Sequence, residues 1–368
     1  MNILILSGYF YPEITPRAFR TTELAKELSR QGHSVTVYSP LKGSDYSDLI
    51  SNYPMTLKDI PIHWESFSLG KNRLFNLGVR AFNRLSSLLF EYPNCEFVHL
   101  IPKLLQKEKG KTYDLLISIA QPHAVHWGVN SALKENPSLA KTWIADCGDP
   151  YMGCKTDTFK KPFYFKYIEK SFCRHCDYIA VPITEAIPSY YPEFKEKIKV
   201  IPQGFDFSDS IKGTVSYTKN DFPTFTFAGS IIPGIRDPRG LLEWLSTRPE
   251  QFRFHIFTNR QNLLKQFKDL MNGKLILHKF IPRPELLEFM KGCDFLLNLE
   301  NGTSVQTPSK LIDYALCNRP ILSVNSNNLD TEKIAEFLCG DYHQKMDDID
   351  ISAYDIRNVA RQFLDLAK

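Results

Sequence analysis

Apolar positions along the chain alternate between two rhythms. Ile3 to Leu6 is an unbroken apolar run ending near Gly8, without polar alternation, and predicts a strand buried on both faces. After a turn-rich loop from Tyr9 to Pro16, Phe19, Leu24, Ala25 and Leu28 recur at helical spacing between Arg17 and Arg30. Gly32-His33 ends that helix and Val35 to Tyr38 predicts the next strand, which completes a βαβ opening. Further strands are predicted at 113–119, 142–145, 178–181 and 198–201. A second series opens with Phe225-Thr226-Phe227-Ala228-Gly229-Ser230 and alternates strand with helix to about Leu338. Cys176-Asp177 and Cys293-Asp294 each follow a predicted helix and open a strand, as tandem α/β domains would place them.

A chain of 368 residues exceeds what one core usually organises, so the pattern predicts two Rossmann-like α/β domains. The polar segment 212–220 has few core formers and reads as a surface linker. A hydrophobic fraction of 43% supports a sizeable core, and a formal charge of +4 argues against a dedicated nucleic-acid binder. No segment is apolar for long enough to span a bilayer, and Met1 leads straight into a strand, so a cytoplasmic protein is expected. Eight cysteines spread through predicted helices and strands agree with a reducing compartment. Cys173-Arg174-His175-Cys176, taken with Cys147 and Cys154, has the chemistry of a zinc site, but buried thiols near a helix end are the commoner outcome, so no metal is expected.

The segment Gln306-Thr307-Pro308-Ser309-Lys310-Leu311-Ile312-Asp313 turns at Pro308 and opens a helix at Ser309, which closes at Asn318 before Pro320 starts an apolar strand. A helix start favours an anion through its unpaired N–H groups and dipole, and Lys310 adds a charge-assisted contact. Asp313 repels phosphate but accepts hydrogen bonds from sugar hydroxyls. Phosphate at Pro308, Ser309 and Lys310 with ribose at Asp313 fits a nucleotide. The dinucleotide pattern GxGxxG is missing, so a nicotinamide or flavin cofactor has little support.

This segment resembles the nucleotide-sugar loop of glycosyltransferase family 4, in the variant that reads P-S-K-L-x-E-Y. The family pairs two Glu residues; Asp313 matches the second, and the first falls on Val305. Nearly the whole chain shares the resemblance, which implies a GT-B fold: two Rossmann-like domains facing across a cleft. On that reading 1–204 is an acceptor domain, ending at the phrase Pro202-Gln203-Gly204-Phe205-Asp206, and 205–350 is a donor domain. The helix within 351–368 returns to the first domain. After Gly229 the family places an Arg and, six residues further on, a Lys; here those positions are Ser230 and Arg236, so the resemblance gives Arg236, with Arg239 nearby, the diphosphate role, with an exposed loop arginine in a Gly/Pro-rich turn as the alternative. Phe280 and Ile281, in Lys279-Phe280-Ile281-Pro282-Arg283, match the backbone that holds the base, with a core role as the alternative.

In the first domain, family members carry a His or Asp beside the transferring sugar at a position that falls on Ala120, which leaves His123 and His126 as catalytic candidates or packing histidines. Asp146-Cys147-Gly148-Asp149-Pro150-Tyr151 resembles the phrase D-x-R-D-P-W; Asp149 is expected to face the cleft and Asp146 to cap the turn. Gly8, Arg17 and Arg20 fall on the acceptor side, where the arginines would meet an anionic acceptor or the diphosphate, with a solvated helix face as the alternative. The resemblance implies a retaining glycosyltransferase, of hexosyltransferase type, with no cofactor beyond its nucleotide-sugar co-substrate. Its acceptor is a glycan or lipid-linked glycan in surface polysaccharide biosynthesis, such as lipopolysaccharide or capsule. A nucleotide-sugar epimerase of similar fold and an inactive carbohydrate-binding subunit are the alternatives.

Residues 72–90 place Leu74, Leu77, Ala81, Phe82, Leu85, Leu88 and Leu89 at helical spacing, with Arg73, Arg80 and Arg84 between them. Such a helix either lies on an anionic membrane at the inner face or covers the first sheet with its apolar stripe.

Overall fold

The computed structural model describes residues 1–70, 73–154, 159–207, 219–300 and 309–367. The chain divides into two units, Met1–Asp206 with Ala353–Lys368, and Phe207–Ser352. Of the polar segment 212–220, only 219 and 220 lie within the described residues.

The first unit contains strands β1 (Asn2–Ser7), β2 (Ser34–Ser39), β3 (Thr56–Asp59), β4 (Tyr113–Ile119), β5 (Ala140–Asp146), β6 (Tyr178–Val181) and β7 (Ile198–Val200). They form one parallel sheet in the order β3-β2-β1-β4-β5-β6-β7. Side chains of a strand alternate between faces, and β1 shows why an unbroken apolar run suits it. Ile3 and Ile5 enter one core with Leu24, Leu28, Val359 and Phe363, while Leu4 and Leu6 enter the other with Ile101, Trp127 and Phe172. The helix Ile356–Asp365 thus packs on the same face of this sheet as the helix Pro16–Arg30.

The second unit repeats the plan with β8 (Thr224–Ala228), β9 (Arg253–Phe257), β10 (Leu275–His278), β11 (Phe295–Leu299) and β12 (Ile321–Val324). Their parallel order is β10-β9-β8-β11-β12. Strand order therefore reverses direction beside β1/β4 in one sheet and beside β8/β11 in the other, and at such switch points the connections part and leave a crevice at the carboxyl ends of the strands.

The paired Cys-Asp phrases do equivalent structural work. Asp177 accepts the Trp143 N–H through Oδ2 at 2.7 Å and donates its own N–H to the Trp143 carbonyl at 2.9 Å. Asp294 brackets Thr224 in the same way, at 2.7 Å in both directions. In each case the carboxylate at the start of one strand pins the strand beside it.

The helix Arg73–Phe90 does not cover the first sheet. Phe75, Leu77, Phe82 and Leu85 are each more than half exposed, and no described side chain of the helix belongs to either core of that unit. Among the described residues, no helix is long and apolar enough to cross a membrane.

Candidate functional site

In the second unit, β8 runs through Ala228 into Gly229, whose N–H continues the ladder to the Phe257 carbonyl at 3.0 Å. Ser230 is exposed, and buried Ile231 anchors the chain before it turns back on itself. Ile232 and Arg236 exchange both backbone hydrogen bonds, at 3.1 and 2.9 Å, closing a tight loop around Gly234. The positive φ of 78° at Gly234 suits glycine. Asp237 tethers this loop to the turn after β12 through Ser326 Oγ at 3.0 Å. The same Asp237 carboxylate pairs with Arg239 at 2.6 Å, so Arg239 is committed locally and Arg236 is the loop's available cation.

Arg236 Nε is buried without a hydrogen-bond partner among the described residues. Lys310, in the first turn of the helix Ser309–Leu316, sits over the Phe227 ring at 4.9 Å and reaches the Leu299 carbonyl at 3.4 Å. Burial, reinforced by the Arg236 charge, pushes Lys310 down to about 7. Neither cation has a carboxylate partner among the described residues, so two positive groups converge where β8 and β11 part. An anion with several oxygens satisfies both. Tyr314 fixes the helix that carries Lys310: its buried hydroxyl donates to the Leu297 carbonyl at 3.0 Å and accepts from the Ala228 N–H at 3.3 Å. Asn318, with φ 51°, ends that helix in the left-handed conformation. Pro308 and the Val305 position lie outside the described residues.

Asp313 lies one turn along from Lys310 and is half-buried. Burial raises its pKa, and Arg283 opposes the rise, pairing with Oδ1 at 2.7 Å. Arg283 was not singled out in the sequence, although it closes the Lys279-Phe280-Ile281-Pro282 phrase; the pair is thirty positions apart and only the fold joins it. Phe280 is half exposed and Ile281 partly so, which leaves neither in the core.

In the first unit, Gly8 follows β1 and meets the corner after β4. A Cβ at Gly8 would lie 2.2 Å from Pro122 Cδ, so only glycine lets these loops touch. His123, next in the chain, is 3% exposed, and its Nε2 lies 3.0 Å from the Asp149 carbonyl. Since a carbonyl only accepts, Nε2 carries the proton and Nδ1 is a lone pair, which has no partner among the described residues. Burial lowers the His123 pKa to about 4 and keeps the ring neutral.

The other first-unit candidates separate by burial. His126 is fully buried, with Nδ1 at 2.7 Å from Ser118 Oγ and Nε2 at 3.6 Å from Cys147 Sγ, so it is a packing histidine sealed from any acceptor. Arg20 is also committed inside: it pairs with buried Asp146 at 2.8 Å, donates to the Ile201 and Pro202 carbonyls, and stacks over Phe363 at 5.1 Å. It is therefore neither an acceptor contact nor a solvated face, and Asp146 holds Arg20 rather than capping a turn. The Asp149 side chain is exposed. Arg17 lies against Gly148, where a Cβ would fall 1.2 Å from Nη2, and its charge helps lower both histidines. Cys147, Cys173 and Cys176 are buried thiols whose pKa values burial pushes up. His175 bonds Asn130 at 2.7 Å, and among the described residues no group of three or more His, Cys, Asp or Glu is placed to hold a metal.

No family model matches the sequence, and no curated protein matches it. Solved structures do share its fold. A glycosyltransferase from Rickettsia africae ESF-5 superposes with a TM-score of 0.65 at 12% identity, over 100% of this chain and 98% of that one. The apo form of WaaB, a lipopolysaccharide outer core galactosyltransferase, gives 0.61 at 12% identity over 100% and 99%. A UDP-GlcNAc 2-epimerase from Neisseria meningitidis bound to UDP-GlcNAc gives 0.57 at 11% identity over 100% and 99%. The chain therefore has the α/β GT-B fold, with two parallel sheets and interleaved helices.

Proposed function

We propose that this protein is a glycosyltransferase of the family 4 type, moving a sugar from a nucleoside diphosphate sugar to a hydroxyl of a glycan acceptor. The convergence of Arg236 and Lys310 without a carboxylate partner among the described residues carries this reading. When the glycosidic bond to the donor breaks, negative charge grows on the leaving diphosphate. Fixed cations in a partly buried site stabilise that charge at no cost of reorganisation, and with two of them present the diphosphate needs no metal. Asp313, held by Arg283, accepts a ribose hydroxyl, and the chain at Phe280 and Ile281 borders the base. Transfer proceeds with retention, as the family resemblance implies. The acceptor approaches the first unit's residues Gly8, Arg17, His123 and Asp149.

The exposed helix Arg73–Phe90 supports work at the inner face of a membrane on a lipid-linked acceptor of a surface polysaccharide. It presents Phe75, Leu77, Phe82 and Leu85 beside Arg80 and Arg84, a pattern suited to anionic lipid. The neighbouring Phe163, Tyr167 and Ile168 are also exposed, and Lys166 and Lys170 lie among them.

Incubation with a panel of nucleotide sugars and bacterial glycolipid extract tests the proposal. Acceptor-dependent release of the nucleoside diphosphate is the expected result. Conversion of the nucleotide sugar in water alone would instead assign an epimerase, and binding without turnover an inactive subunit.

A further inference from the structure

A pocket of about 230 Å³ opens in the first unit at the carboxyl ends of β1 and β4, walled among others by Tyr9, Glu91, Asn94, His123, Tyr151 and Lys161. Its position is the sheet's switch point, yet no motif in the sequence marks Glu91 or Lys161. Glu91 is 8% exposed and has φ 55°, in the left-handed region that ordinary side chains avoid. Its N–H donates to the Ser87 carbonyl at 3.0 Å as the chain leaves the helix Arg73–Phe90, and this turns the carboxylate toward the pocket wall. There Oε2 accepts from the Tyr151 hydroxyl at 2.7 Å and from Lys161 Nζ at 2.9 Å. Oε1 has only Asn94 Nδ2, at 3.4 Å, among the described residues. Lys161 also sits over the Tyr151 ring at 4.5 Å.

The chemistry of these groups selects the ligand. Glu91 pairs with Lys161, and exposed Lys160 also lines the pocket, so a ligand there meets charges of both signs rather than the cation pair of the second unit. The Glu91 carboxylate accepts hydrogen bonds and repels an anion. A hydrocarbon would add no donor to Glu91 Oε1, whose contact to Asn94 Nδ2 is long at 3.4 Å. A hydroxyl-bearing ligand can donate to Oε1 and accept from Lys161 and Asn94. The volume falls below the roughly 300 Å³ at which small-molecule sites usually begin, which suits one ring rather than an oligosaccharide.

We propose that this pocket is the subsite for one uncharged sugar ring of the acceptor, with Glu91 and Lys161 as the residues that read its hydroxyls. The inference rests on the glycosyl-transfer reading and adds to it the chemical class of the acceptor's terminal unit and the residues that select it.

Saturation-transfer NMR tests it with a panel of methyl glycosides of glucose, galactose, mannose and N-acetylglucosamine. The panel is measured on the wild type, Glu91→Gln, Lys161→Met and Lys310→Met, with thermal melts confirming that each is folded. The expected result is saturable binding of at least one glycoside. Glu91→Gln and Lys161→Met should each weaken it about tenfold, the effect of losing one charge-assisted hydrogen bond. Lys310→Met should leave it unchanged, and inorganic phosphate should not compete. The proposal is overturned if no glycoside saturates the wild type, if folded Lys161→Met binds as the wild type does, or if phosphate displaces the sugar. Nucleoside diphosphate binding is read separately in the second unit. Glycoside failure with intact nucleotide binding therefore removes only this subsite, whereas glycoside binding without nucleotide binding removes the transferase reading.

Discussion

Arg236 lies close enough to Lys310 for its charge to add to burial in holding the lysine at about 7 instead of 10.5. Between about pH 7 and pH 10.5 the unfolded chain therefore binds a proton that the folded chain lacks, and stability should rise with pH across that window. Below about pH 7 the lysine is charged in both states and its full penalty is present. A bound diphosphate favours the charged form, so nucleoside diphosphate affinity should fall as pH rises from about 7 to about 9. Calorimetric titrations at the two pH values check this, and Lys310→Met should abolish the slope.

Arg20→Met should destabilise the first unit without touching the donor site. The substitution leaves the Asp146 carboxylate 1% exposed and without its partner, and breaking a buried pair from one side costs about 3–5 kcal/mol. Urea unfolding should show a lower midpoint for the first unit, with nucleotide binding retained under native conditions. A midpoint equal to the wild type would mean that the pair is not buried as described.

How far these sites were legible in the sequence follows from how far apart their parts lie. β1, the helix Pro16–Arg30 and the helix end at Asn318 were readable because apolar period and helix-stop residues are local signals. Lys310 was readable for the same reason, as it sits at a helix start. Arg20 was not, because its partner Asp146 is 126 residues away and nothing in the helix pattern distinguishes a buried arginine from a solvated one. His123 and His126 share one helix start; only Ser118 and Cys147, brought in by other strands, decide which is sealed. Glu91 carries no local signal, and the fold alone turns it toward Tyr151 and Lys161.

Gly8→Ala should disturb the first unit locally. The new methyl would lie 2.2 Å from Pro122 Cδ, and the corner carrying His123 must move to admit it. Overpacking of this kind costs about 1–3 kcal/mol. Transfer activity should drop while donor binding in the second unit persists, measured by nucleotide release and by titration. Unchanged activity would show that the corner does not position the acceptor.

Membrane docking through the helix Arg73–Phe90 predicts that the protein sediments with anionic liposomes at low salt and is released as salt rises. Arg80→Glu with Arg84→Glu should keep most of it in the supernatant. A wild type that stays in the supernatant at low salt removes the membrane proposal and leaves the transferase reading standing.

The donor site is tested most directly by calorimetric titration of UDP, GDP, ADP, CDP and dTDP into the wild type, Arg236→Met and Lys310→Met at about pH 7. At least one nucleotide should bind the wild type, and each variant should weaken it about tenfold or more, the effect of removing one charge-assisted contact to phosphate. Failure of every nucleotide to bind the wild type, or binding by both variants as tight as the wild type's, would contradict the assignment of this cation pair to a nucleoside diphosphate.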